Sequence, residues 1–134
     1  MSIVKPIETE YGVLEGRDSI FLDEVSLSNR TNHLHLKGEF NGNLCSKPAF
    51  AKRIPFKLTF EWVIVSKITE LDTWESQRNW YNETSFDEIA ESDWLNKFGC
   101  KKTHEYRHFI ILTYDDVIEV VCKSYNLILG EPHA

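Results

Sequence analysis

The chain has 134 residues, the length of one ordinary domain, and 42% of them are hydrophobic, which is enough for a packed core and excludes intrinsic disorder. Its 21 acidic residues outnumber its 15 basic ones, so the net charge of −6 argues against nucleic acid as a partner. The longest apolar runs, such as Trp62 to Val65, are far too short to cross a bilayer. We therefore expect one soluble globular domain, residues 1–134, with no membrane association.

The three cysteines, Cys45, Cys100 and Cys122, are odd in number and widely spaced. No Cys-x-x-Cys pair is present, so neither a disulfide framework nor a zinc site of standard spacing is indicated. The spacing favours free thiols in a reducing cytoplasm. Because the glycines are scattered singly, there is no phosphate-binding loop, and we predict no cofactor.

The first half of the chain has the alternation of apolar and polar residues that is typical of strands. A first strand is predicted from Ser19 to Leu27 and a second from Asn32 to Phe40, ending at the turn residues Asn41-Gly42. The clearest pattern places the side chains of Ile54, Phe56, Leu58, Phe60 and Trp62 on one face of a third strand. From Trp62 to Val65 both faces are apolar, which predicts that this strand continues beneath a helix.

A helix is predicted over residues 85–98. Ser85 and Glu88 have the spacing of a capping box, and an apolar stripe follows at intervals of three to four residues. Gly99 is a suitable residue after the last helical turn, and Ser92-Asp93 offers a second helix start.

The last third contains two apolar runs, Tyr106 to Tyr114 and Val117 to Leu129, separated by Asp115-Asp116. Their β-branched residues favour a hairpin, although a helix over residues 115–125 is an alternative. Together these elements predict an α+β, mainly β, fold: an antiparallel sheet or sandwich of six to seven strands with one helical insertion around 85–98.

The excess negative charge lies in one segment, Thr69 to Asp93, which contains eight acidic residues and one base, Arg78, for a net charge of −7. Two of the four tryptophans lie in the same segment. Aromatic side chains commonly anchor protein interfaces, and surrounding charges speed association with an oppositely charged partner. The predicted site has Trp74, Trp80 and Tyr81 as anchors and Glu70, Asp72, Glu75 and Glu83 as the charged surround. The alternative is that the tryptophans fold back over the core.

His33 and His35 lie on one face of a predicted strand and are the candidate ligands for a metal. No third ligand is fixed by local spacing, so a metal-dependent enzyme is the least favoured function.

Three short stretches, Ser92-Asp93-Trp94-Leu95, Tyr106-Arg107-His108-Phe109 and Tyr114-Asp115-Asp116-Val117, resemble a pattern found in small bacterial proteins of unknown function. In size, acidity and lack of a catalytic motif the chain also resembles immunity proteins of bacterial toxin systems. That resemblance implies a small fold that neutralises a toxin by masking it.

The sequence thus predicts a non-enzymatic binding protein, immunity-type or regulatory, with a basic protein as its partner. The alternative is a β-domain that binds an apolar small molecule, and a homodimer is left open.

Overall fold

A computed structural model describes residues 3–47, 52–77, 84–98 and 106–133. Within these residues the strands are β1 Ile3–Pro6, β2 Ile20–Ser28, β3 His33–Asn41, β4 Arg53–Glu61, β5 Val65–Glu70, β6 Phe86–Ala90, β7 Arg107–Leu112, β8 Asp116–Cys122 and β9 Ser124–Leu129. The helices are α1 Leu71–Gln77 and α2 Asp93–Phe98, and short 3-10 turns lie at Arg17–Ser19 and Gly42–Leu44. None of the described helices is long and apolar enough to span a membrane.

The strands form two sheets in which all neighbours are antiparallel. One sheet has the order β1-β6-β7-β8-β5 and the other has the order β2-β3-β4-β9. The β-rich, antiparallel prediction is confirmed. The predicted six to seven strands were too few, because the described residues alone form five strands in one sheet and four in the other.

The two sheets pack face to face around an aromatic core. The ring of Phe60 on β4 lies 5.6 Å from that of Phe109 on β7 and 6.3 Å from that of Phe86 on β6, measured between centroids. The alternation predicted for β4 is confirmed at Ile54, Phe56, Leu58 and Phe60, which are all buried. The space between the sheets is therefore filled by large apolar side chains.

Trp62 departs from the predicted pattern, since β4 ends at Glu61 and the Trp62 side chain is 53% exposed. The chain leaves the four-stranded sheet here and enters the other one as β5. It returns to the four-stranded sheet at Lys123, between β8 and β9. The run from Val117 to Leu129 is thus two strands in different sheets, which apolar periodicity alone does not separate.

The helix predicted over 85–98 was wrong in its first half, because residues 86–90 form β6 between β1 and β7. Ser85 does not cap a helix. Its hydroxyl donates a hydrogen bond to the carbonyl of Gly16 and accepts one from the hydroxyl of Ser19. Glu88 binds Arg107 of β7 instead of reaching back along the chain. Ladder hydrogen bonds on both sides of β6 override the local capping pattern.

The second helix start was confirmed. The Ser92 hydroxyl accepts a hydrogen bond from the backbone of Leu95 at 3.1 Å, and α2 begins at Asp93. The hairpin was also confirmed and the helix alternative over 115–125 was wrong, since β7 and β8 pair from Arg107 to Cys122.

Candidate functional site

The acidic segment begins with a carboxylate that caps α1. Glu70 accepts hydrogen bonds from the backbone of Asp72 at 2.8 Å and of Thr73 at 3.1 Å, and from the Thr73 hydroxyl. These hydrogen bonds lower the pKa of Glu70, because they favour its charged form. Both Glu70 and Asp72 are exposed, as the predicted partner surface requires.

Residues 71–77 form the helix α1. The buried side chains of Leu71 and Trp74, three residues apart, lie on one face of this helix and pack against Ile89, Ile110 and Val117 of the five-stranded sheet. The core of the molecule thus has a second layer on the outer face of that sheet.

Trp74 is not an exposed anchor. Its side chain is 4% exposed, and its indole Nε1 donates to Glu119 Oε1 at 3.1 Å. The alternative, in which tryptophan folds back over the core, applies to this residue because the sheet supplies both an apolar surface and a buried acceptor. Glu75 belongs to α1, but its side chain lies outside the described part, and Trp80, Tyr81 and Glu83 lie wholly outside the described residues.

Glu119 belongs to a buried polar chain that joins α1 and α2 through the sheet. Its Oε2 faces His108 Nε2 at 3.6 Å, and His108 Nδ1 lies 2.8 Å from the Ser92 hydroxyl oxygen. The ring of Trp94 stacks on His108, with centroids 4.9 Å apart and an interplanar angle of 3°. Sequence reasoning missed this chain, although Glu119 lies within the apolar run Val117-Ile118-Glu119-Val120-Val121, a position that demands a buried partner.

Serine, histidine and glutamate in contact are the residue types of a hydrolytic triad, but this arrangement does not fit that role. Ser92 and His108 have no exposed surface and Glu119 is 3% exposed. The Ser92 hydroxyl is engaged in capping α2. A nucleophile must reach its substrate, so these side chains act as a buried structural link.

A second buried carboxylate, Asp87 of β6, organises the chain just before that strand. It accepts hydrogen bonds from the backbone of Thr84 at 3.0 and 3.1 Å and from the Thr84 hydroxyl. Asp87 itself is fully buried. Its charge therefore adds nothing to an exposed acidic surface.

The candidate metal ligands His33 and His35 lie on the outer face of the four-stranded sheet, with ring centroids 6.3 Å apart. His35 Nδ1 lies 3.1 Å from the Thr59 hydroxyl, and His33 Nδ1 accepts from the backbone of Trp62 at 3.3 Å. No group of three potential ligands forms within the described ranges. The geometry gives these histidines hydrogen-bonding roles.

The thiols of Cys45 and Cys122 are free and buried. Burial raises the pKa of Cys122 to about 12, so this thiol is protonated at physiological pH and is unsuited to nucleophilic chemistry.

A cleft of about 730 Å³, here called the β9 cleft, lies between residues 8–11 and residues 125–132. Among the described residues, the charged lining consists of three glutamates, Glu8, Glu10 and Glu131, with no lysine or arginine. Burial and the carboxylates of Glu10 and Glu131 raise the pKa of Tyr11. Sequence reasoning missed the cleft because its two walls come from opposite ends of the chain.

Comparison with protein-family models, with curated proteins and with solved structures finds nothing that matches this chain.

Proposed function

We propose that the protein is a non-enzymatic binding protein that contacts a basic protein partner, in an immunity-type or regulatory role within the cytoplasm. The contact surface is the acidic α1 surface, defined by Glu70 and Asp72 and extended by Glu75, Trp80, Tyr81 and Glu83. Free, buried thiols at Cys45 and Cys122 fit a reducing compartment.

The observation that carries this proposal is the division of α1 into two faces. Leu71 and Trp74 fix the helix to the sheet, while Asp72 and the capping carboxylate of Glu70 face solvent. A partner therefore meets charges held on a packed helix, which reduces the entropy lost on binding. The carbonyl of Asp115 accepts from the backbone of Leu71 at 2.9 Å, which brings another exposed acidic residue to this end of the helix.

Electrostatic steering gives a direct test. A photo-crosslinking amino acid in place of Asp72 identifies the partner in cells, with the same group in place of the exposed Glu24 on β2 as the reference position. The purified pair is then compared by stopped flow with the combined variant E70Q/D72N/E75Q/E83Q. We expect association to slow by about tenfold and its salt dependence to flatten, because the attractive field is removed.

The matched control E15Q/D18N/D23N/E24Q also removes four negative charges, but from exposed residues outside the acidic α1 surface, and should leave association nearly unchanged. Trp80→Ala should mainly hasten dissociation, as expected of an interface anchor. Equal association rates for the two combined variants would remove the acidic α1 surface from the function.

A further inference from the structure

The two sheets have four edge strands, and three of them carry features that discourage pairing with another chain. β1 has only four residues and ends in Pro6, β2 is irregular between Leu22 and Glu24, and β5 carries Lys67. Short length, proline, bulges and charge all protect an edge. β9 has none of these: its sequence is SYNLIL, and it pairs with β4 in unbroken register over six residues.

The backbone groups at the open edge of β9 follow from this register. Gly130 donates to the carbonyl of Pro55 on the β4 side. Successive residues of a strand point their backbone N–H and C=O groups to opposite sides. The groups of Tyr125, Leu127 and Leu129 therefore point away from β4. No described segment pairs with them, and these same residues line the β9 cleft.

The wall opposite this edge is acidic, and its turn is held by backbone hydrogen bonds. Thr9 and Gly12 exchange two backbone hydrogen bonds, at 2.8 and 2.9 Å, and the carbonyl of Tyr11 accepts from the backbone of Lys47 at 2.9 Å, so these groups already have partners. Glu8, Glu10 and Glu131 are exposed, and within the described residues none of them forms an ion pair. The cleft thus combines an unused strand edge with three uncompensated carboxylates.

We propose that the β9 cleft binds an extended, lysine- or arginine-containing segment of another protein, which adds to β9 as an antiparallel or parallel strand. Edge backbone groups would supply main-chain hydrogen bonds, and the three glutamates would select basic side chains. A second copy of this chain is a poorer occupant, since pairing two β9 edges brings two sets of these carboxylates together.

This inference deepens the proposed function by assigning a second contact for a basic partner, on a surface that includes no residue of the acidic α1 surface. The two proposals can therefore fail separately. The E70Q/D72N/E75Q/E83Q variant should bind a basic peptide in the β9 cleft as tightly as the unaltered protein does.

The test measures fluorescence anisotropy of a labelled Lys-Val-Lys-Val-Lys peptide at low ionic strength. Two further peptides carry N-methyl groups, one on its valines and the other on its internal lysine. In an added strand only alternate amides face β9. One methylated peptide should therefore bind about tenfold or more weakly, because it loses edge hydrogen bonds, and the other should bind like the parent. Equal binding of all three peptides would overturn strand addition.

Charge selection is tested on the protein side. The variant E8Q/E10Q/E131Q should bind the parent peptide about tenfold more weakly, whereas the control E15Q/D23N/E24Q should change the affinity less than twofold. Equal losses in the two variants, or displacement of the peptide by spermine at the same concentration as by unlabelled peptide, would mean only general attraction of cations. If the protein forms a dimer and the peptide dissociates it, the occupant of the β9 cleft is instead a second copy of this chain.

Discussion

The most informative single residues are polar side chains buried on the outer face of the five-stranded sheet. Trp74, Glu119, His108 and Ser92 form a continuous chain of contacts from α1 across β8 and β7 to the start of α2. A buried carboxylate is tolerated only where partners replace water, so each member of this chain depends on the others. Their role is to hold both helices in one position on the sheet.

Replacing Trp74 by phenylalanine tests this dependence. The ring still fills most of the site, but Glu119 loses its indole donor, and we expect the free energy of unfolding to fall by about 1–3 kcal/mol. Urea denaturation followed by circular dichroism measures the change. Trp62→Phe, at a position that is 53% exposed, is the control and should stay within about 0.5 kcal/mol. A Trp74→Phe protein as stable as this control would show that the hydrogen bond contributes nothing.

At the scale of elements, two helices of seven and six residues are too short to be stable alone. Each is held by a cap and by the sheet: Glu70 caps α1 and Ser92 caps α2, while Leu71 and Leu95 are buried on the outer face of the sheet. Position on the sheet, more than helix propensity, therefore decides that these residues are helical.

Ser92→Ala should test α2 specifically. The substitution removes the cap and the contact with His108, and the expected loss of unfolding free energy is about 1–3 kcal/mol. Hydrogen exchange of the Leu95 amide, which donates to Ser92, should become faster than in the control Ser26→Ala, an exposed serine on β2. Unchanged protection of Leu95 would assign the capping of α2 to another group.

For the whole molecule, the topology joins strands that are distant in sequence. Ile3 of β1 is opposite Ala90 of β6, and Phe56 of β4 is opposite Leu129 of β9. The five-stranded sheet needs the N-terminal strand β1 and the four-stranded sheet needs the C-terminal strand β9. Long loops must therefore close before much of the stabilising burial can occur.

This topology predicts slow folding. We expect refolding from urea to take about milliseconds to seconds, as is typical of all-β sandwiches with non-local pairing. Stopped-flow tryptophan fluorescence measures the rate. Complete refolding within microseconds would contradict the requirement for long-range pairing.

An element or a buried side chain could be predicted from the sequence only where neighbouring residues determine it. The alternation of Ile54, Phe56, Leu58 and Phe60 is a local pattern with a single solution, and so β4 was predicted correctly. Ser85 and Glu88 also form a local pattern, but pairing of residues 86–90 with β1 and β7 outweighs it. Trp74 was ambiguous in the sequence because its buried acceptor, Glu119, lies 45 residues away.

By itself, the sequence determined that the chain is rich in antiparallel strands and that negative charge is concentrated near Glu70, because these properties follow from composition and short-range periodicity. It favoured a hairpin around Asp115-Asp116, and the pairing of β7 with β8 confirms that hairpin. Only the tertiary structure decided that α1 lies on a sheet with Trp74 beneath it, and that Glu8, Glu10 and Glu131 share one cleft along β9. The physical reason is that both arrangements depend on contacts between distant segments, which are selected when the whole core is packed.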